Sequence, residues 1–189
     1  MIEQLLYWDS NILLFIQEHM QNSILTPIFI FFTNLGNAGI IWILLSVLLL
    51  CFKKTRKIGC IGICALVLSF LVNNVVLKNL VARSRPFDTI KALTPLIPKP
   101  TDFSFPSGHT ASSFSVACVF YRKLPKKFGI PALILAVLIS FSRLYVGVHY
   151  PSDVVVGMIS GIVISYLSES FIVIIANKYK RMQNKRVEG

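Results

Sequence analysis

Apolar residues run almost unbroken through 40–52, 58–77, 110–121, 129–147 and 154–176. Runs of this kind point to an integral membrane protein built of helices. The expected fold is all-α: a polytopic transmembrane helical bundle with spans at about 38–52, 58–77, 108–121, 129–147 and 153–176. Ahead of them, Leu5, Tyr7, Trp8, Ile12, Phe15 and Ile16 recur at roughly helical spacing against Gln4, Asp9, Gln17 and Glu18. That pattern predicts an N-terminal helix lying in the membrane interface, too polar to span. Residues 24–35 are apolar but cover only about 18 Å at ~1.5 Å per residue. With Pro27 and the break at Gly36-Asn37-Ala38-Gly39, they read as a re-entrant or interfacial helix. Straightening residues 5–35 would instead add a sixth span and put the N-terminus inside. Three segments result: interfacial and re-entrant helices in 1–37, the bundle in 38–177 and a basic tail in 178–189.

Composition agrees with this reading. Hydrophobic residues make up 54% and charged residues 14%, and the mean hydropathy is +0.69, too little polar surface for a soluble domain. The net charge of +11 raises the question of nucleic acid, and the positions of the basic residues answer it. Thirteen fall in three blocks, Lys53, Lys54, Arg56 and Lys57, then Arg122, Lys123, Lys126 and Lys127, then Lys178, Lys180, Arg181, Lys185 and Arg186. Blocks flanking apolar runs mark the cytoplasmic side and anionic headgroups rather than nucleic acid. The N-terminus and the long connection 78–107 then lie outside. Cys51, Cys60, Cys64 and Cys118 lie in or beside apolar segments and read as core packing, with neither a metal site nor a disulfide framework. No cleaved signal peptide is expected.

The remaining basic residues, Lys78, Arg83, Arg85, Lys91, Lys99 and Arg143, cluster on the outer side with a loop stiffened by Pro86, Pro95, Pro98, Pro100 and Pro106. A loop of that length on a compact bundle is more often functional than idle. Lys78 and Arg85 together suit a dianionic phosphate, although basic residues at a helix end also serve as snorkelling anchors. Pro106-Ser107-Gly108-His109 gives a tight turn into a helix. Its free N–H groups and the Ser107 hydroxyl can face an anion, with His109 either a participant or a satisfied interfacial histidine. His149 and Asp153 stand four apart, so the carboxylate can accept an imidazole N–H and leave the other nitrogen as a nucleophile. His109 has Ser113 at the corresponding position and is the freer proton donor. Arg83, Lys91 and Lys99 attract a second phosphate or a headgroup, or are solvated loop charges. Asn74 orients Lys78 or bonds a neighbouring helix. His19 reads as exposed, and Tyr145 and Tyr150 as interfacial aromatics.

Lys-x6-Arg-Pro (Lys78 to Pro86), Pro-Ser-Gly-His (Pro106 to His109) and Ser-Arg-x5-His-x3-Asp (Ser142 to Asp153) together resemble the tripartite signature of the type-2 phosphatidic acid phosphatase family. Those membrane lipid phosphatases share an active site with vanadium haloperoxidases and bacterial acid phosphatases. The resemblance covers 78–153, and the first 52 residues carry no motif. It implies His149 as the nucleophile forming a phosphohistidine, Asp153 as its orienter, and His109 as the group that protonates the leaving oxygen and then activates water. Lys78, Arg85, Ser107, Gly108 and Arg143 are implied to bind the phosphoryl oxygens. No metal or other cofactor is expected, because cationic side chains and backbone donors supply the charge stabilisation.

The expected protein is a phosphohydrolase of a bacterial plasma membrane, with its active site on the extracytoplasmic side and its C-terminus in the cytoplasm. Its partners are the bilayer and a lipid phosphate, and no nucleic acid. Undecaprenyl diphosphate comes first among substrates, followed by phosphatidate or phosphatidylglycerophosphate. A haloperoxidase and a non-catalytic lipid-binding or transport protein are the readings from other classes.

Overall fold

The computed structural model describes residues 2–187, which contain helices and turns and no strand. Helix α1 (Ile2–His19) is followed by α2 (Leu25–Leu35) and α3 (Ile40–Leu50), joined by a 3-10 turn at Asn37–Gly39. Helix α4 (Arg56–Ser69) runs through a π-helical stretch, Phe70–Leu77, into α5 (Lys78–Val81), and the loop beyond it holds the single turn α6 (Pro86–Thr89). The bundle closes with α7 (Gly108–Lys123), α8 (Lys126–Tyr145) and α9 (Pro151–Val187). The basic segment from 178 thus continues α9 rather than forming a separate tail, and residues 188–189 of that segment lie outside the described residues.

Three helical segments are long and apolar enough to cross a membrane: Arg56–Thr89, Lys126–Tyr145 and Pro151–Gln183. Helices α2 and α3, bent by 51°, make a fourth if they form one broken span. Their neighbours favour that pairing. Thr26 meets Tyr145, Thr33 meets Arg143, and the backbone at Gly36 passes Ile139, so α2 descends antiparallel to α8. Helix α3 continues the descent past α7, where the Trp42 indole donates to Ser113 Oγ at 2.9 Å. The boundary expected at residue 37 therefore falls at a bend within one path. Residues 5–35 do not form one straight helix, because α1 and α2 are separated at 20–24.

Helix α7, at 16 residues, is shorter than those three segments yet is heavily enclosed. Its buried set includes Ala111, Ser113, Phe114, Ser115, Val116, Ala117 and Phe120. Enclosure by α4, α8 and α9 removes the need for an apolar outer face. Its small residues permit close packing instead, as at other helix contacts within membranes. Helix α9 runs parallel to α7, and a Cβ on Gly161 would stand 2.6 Å from the Ala111 carbonyl, one on Gly157 2.8 Å from that of Ser107. The outer helices show the opposite distribution. Leu44, Leu48, Val67, Phe70, Ile159 and Val163 are exposed, which in a bilayer means lipid contact.

Polar residues on the N-terminal helix are used differently from the interfacial reading. Asp9, Leu13 and Ile16 are buried, and Gln17 donates to the Ala92 carbonyl and accepts from the Thr94 N–H. Leu5, Tyr7, Trp8, Ile12 and Phe15 point outward. Helix α1 thus rests on α8, α9 and the 83–97 loop and covers the two tyrosines expected at an interface. Tyr145 is fully buried with its hydroxyl among Asn22, Thr26 and Met20, and Tyr150 is buried beneath the guanidinium of Arg83. His19 is exposed and stacks on Phe15. Cys51 and Cys60 are exposed rather than in the core, small apolar groups on the outer surface. In the second basic block, Arg122 and Lys123 both pair with Glu169.

Candidate active site

One cavity of about 1070 Å³ lies between the α2–α3 bend, the π-helical stretch and the starts of α7 and α9. Lys78, Arg85, Gly108, His109, Arg143 and His149 all line it, so three stretches separated along the chain meet there. Asp153 stands behind His149, and Ser107 sits behind Gly108. The other wall of the cavity is apolar, formed by residues such as Ile43, Ile63, Leu66, Val67 and Phe70.

Turn chemistry and close packing position these groups. Ser107 caps α7, its hydroxyl accepting from the Thr110 N–H and hydroxyl, and it is fully buried. The hydroxyl is thus engaged locally while the helix N-terminus at Gly108 faces the cavity. A side chain at 108 has no room, since its Cβ would lie 2.6 Å from Asn74 Oδ1. Asn74 therefore lies against the start of α7. The π-helical stretch carries both asparagines there, and Asn73 accepts from Ser160 Oγ at 2.8 Å. A π segment beside a cavity is a recurrent mark of a functional site.

His149 is 1% exposed, and its tautomer follows from its neighbours. Arg85 Nη1 stands 3.2 Å from His149 Nε2. A guanidinium only donates, so Nε2 carries the lone pair and Nδ1 the proton. Nδ1 faces Asp153 Oδ2 at 3.5 Å, just beyond hydrogen-bond reach, and among the described residues it has no closer partner. Catalytic contacts of this kind tighten when substrate arrives. Burial, followed by the charges of Arg85, Arg143 and Lys78, pushes the imidazole well below its ordinary 6.5, which favours the neutral ring, with its Nε2 lone pair held by Arg85 at the cavity.

Asp153 is itself fully buried and heavily supported. Oδ2 accepts from Ser104 Oγ at 2.5 Å and the Tyr150 N–H at 2.9 Å, and Oδ1 accepts from Arg83 Nη1 at 2.6 Å. Arg83 is therefore neither a solvated charge nor a second phosphate site. Of the other two loop cations, Lys91 is exposed and Lys99 lies 5.2 Å over the Phe87 ring.

On the other side, His109 Nε2 lies 3.0 Å from Asn37 Oδ1. With an amide oxygen there as acceptor, Nε2 carries a proton, and the ring serves as a general acid when Nδ1 is protonated too. Arg143 is buried, donates through Nη1 to Thr33 Oγ1, and keeps Nε unpartnered among the described residues. Such a donor beside a cavity is suited to an anion.

The cationic cradle already holds one carboxylate. Asp102 accepts from Lys78 Nζ and, at 2.5 Å, from Arg85 Nη2. Partial burial pushes its carboxyl up, but Lys78 and Arg85 together outweigh this and hold it at about 2. A loop carboxylate thus stands between two groups expected to bind phosphoryl oxygens. Asp102, Arg83, Asn37, Thr33 and Ser104 were not assigned these places by the sequence motifs, although Arg83 and Asp102 stand beside motif residues.

Comparison with known proteins follows the same lines. The sequence model of the PAP2 superfamily matches residues 58–176. The chain is 39% identical over 151 residues to an Undecaprenyl-diphosphatase of Sulfolobus acidocaldarius, spanning 80% of this chain and 72% of that protein. It is 36% identical to Undecaprenyl-diphosphatase BcrC of Bacillus subtilis, over 77% of this chain and 74% of that one. Among solved structures, a transmembrane PAP2 type phosphatidylglycerolphosphate phosphatase from Bacillus subtilis superposes with a TM-score of 0.70 at 26% identity, covering 87% of this chain and 84% of that chain. LpxE of Aquifex aeolicus gives 0.68 at 29% identity, covering 78% and 87%.

Proposed function

The chain belongs to the PAP2 superfamily, and from that premise we propose that it is a membrane phosphatase that removes the terminal phosphate of undecaprenyl diphosphate through a phosphohistidine. The observation that carries this reading is the convergence of both imidazoles and three cationic side chains on one cavity whose remaining wall is apolar. A phosphate fits the first part and an isoprenoid tail the second. The described relatives of higher identity, at 39% and 36%, are named for that lipid, which ranks it ahead of phosphatidate or phosphatidylglycerophosphate.

In the first step the His149 Nε2 lone pair attacks phosphorus while the bond to the bridging oxygen breaks. His109, entering as the imidazolium, gives one proton to that oxygen and becomes neutral, and the lipid monophosphate leaves. Asp153 stabilises the imidazolium through Nδ1–H. In the second step water attacks the phosphohistidine, His109 takes the water proton, the P–N bond breaks and inorganic phosphate departs. Lys78, Arg85, Arg143 and the backbone at Gly108 neutralise the equatorial oxygens. With three cations at hand to neutralise the phosphoryl oxygens, this reading needs no metal.

The basic turns at 51–55 and 124–125 lie at the opposite ends of their helices from the cavity. By the positive-inside rule this supports five spans, with α7 as the enclosed fifth, an outward-facing site in a bacterial plasma membrane, α1 at the outer interface and a cytoplasmic C-terminus. Phosphate release in detergent from undecaprenyl diphosphate, phosphatidylglycerophosphate and phosphatidate tests the reading. The first is expected to give the highest kcat/KM, and His149→Ala and His109→Ala to abolish turnover. Unchanged rates in both variants would end the enzymatic assignment, and a higher kcat/KM on a glycerophospholipid would replace the substrate.

A further inference from the structure

We infer that Asp9, on the first helix, is a positioning residue for the nucleophile, acting through Arg83. The inference rests on the phosphatase reading above. Asp9 is 2% exposed and makes three contacts, two at the start of α9 and one to the loop after α5. Oδ1 accepts from the Ser152 N–H at 2.9 Å, and Oδ2 accepts from the Ser152 hydroxyl and, at 2.8 Å, from Arg83 Nη2. The same guanidinium donates through Nη1 to Asp153 Oδ1 at 2.6 Å and to Ser152 Oγ at 2.7 Å, and its plane lies 3.8 Å over the Tyr150 ring.

The result is a relay in which Asp9, Arg83 and Asp153 are hydrogen-bonded in turn and Asp153 faces His149 Nδ1 at 3.5 Å. The planar fork of Arg83 reaches two carboxylates at once, which a lysine cannot do. Asp9 fixes one arm of the fork so that the other holds Asp153, and Asp153 in turn sets the imidazole whose Nε2 faces the cavity. Asp9 also balances charge. One guanidinium shared between two buried carboxylates leaves Asp153 enough negative charge to hold the Nδ1–H, whereas Arg83 paired with Asp153 alone draws that charge away. None of Lys78, Arg85 and Arg143 touches Asp9, so anion binding stands apart from this relay.

The test uses the full chain in detergent. Wild-type turnover and its loss in His149→Ala establish the phosphatase reading first. Asp9→Asn keeps an oxygen for the Ser152 N–H but removes the charge facing Arg83. Its kcat is expected to fall tenfold or more, while KM and inhibition by vanadate stay within twofold. Leu13→Ala, which loosens the same helix at a buried position packed with Leu93 and Tyr150 and leaves every charged group of the relay in place, is the structural control: its melting temperature drops and its kcat stays within twofold. Arg83→Lys serves should Asp9→Asn fail to fold, and the same selective loss of kcat is expected. Wild-type kcat in Asp9→Asn overturns the inference. So does a loss of kcat in Leu13→Ala equal to that in Asp9→Asn, since either result reduces Asp9 to a packing residue.

Discussion

Asp102→Asn offers the sharpest test of how the cradle receives its substrate. The Asp102 carboxylate lies between Lys78 and Arg85, so an incoming phosphoryl group must displace it. Its carboxyl sits at about 2 rather than the ordinary 3.8. That gap of about 1.8 pH units corresponds to about 2.4 kcal/mol of interaction with the two cations, at about 1.36 kcal/mol per unit. The side chain is 52% exposed, so solvent screening reduces the figure to about 1 kcal/mol. Relieving that competition tightens anion binding about fivefold. The assay is inhibition of lipid turnover by vanadate, and the expected result is an inhibition constant about fivefold lower in Asp102→Asn, with KM falling in parallel. A folded-state value below the ordinary one means the ion pair is intact above pH 3.8 and is lost only as pH falls through about 2. The effect is therefore equal at pH 5.5 and pH 8. Unchanged or weaker vanadate inhibition in the variant would refute the displacement argument.

Further expectations follow from the same geometry. Because burial and three cations depress the His149 imidazole, the nucleophile stays neutral until pH falls well below 6.5. The acid limb of kcat/KM should lie below that value, and a limb at or above 6.5 contradicts the neutral-imidazole reading. Turnover should persist in excess EDTA, and loss on chelation with recovery on Mg²⁺ would count against the metal-free mechanism. Asn37→Ala leaves the His109 proton without its partner. A kcat at least fivefold lower with little change in vanadate inhibition is expected, and an unaltered kcat would remove Asn37 from the site. Gly161→Val places a side chain against the α7 backbone and should destabilise the bundle by about 1–3 kcal/mol, read as a lower denaturation midpoint in detergent.

What the sequence revealed and what it withheld divide along physical lines. Lys78, Arg85, His109, Arg143 and His149 stand in short motifs whose spacing already carries chemistry, and they meet in one cavity. The apolar runs likewise mark α4, α8 and α9, because lipid contact selects for apolar residues regardless of partners. Helix α7 is harder to class, since a helix enclosed by protein is chosen for small residues rather than for hydropathy. Asp9, Thr33 and Asn37 acquire meaning only from partners 143, 110 and 72 positions away, and no local pattern records such distances. Asp9 in particular reads as the polar side of an amphipathic helix until the fold turns it inward. Tyr145 and Tyr150 fit the profile of interfacial aromatics equally well, and it is the helix lying over them that makes them interior residues.

The contact between Asp9 and Ser152 also bears on the order in which the molecule is built. Asp9 is made before Ser152, and its acceptor positions wait for that partner, synthesised 143 residues later. Until α9 begins to emerge, α1 has only part of its seat, and a contact of such long sequence separation forms late because its loop closure must come first. Helix α1 thus completes its docking late. A chain that has not yet reached α9 can hold its cationic cradle before its nucleophile is braced, so hydrolytic competence waits for α9.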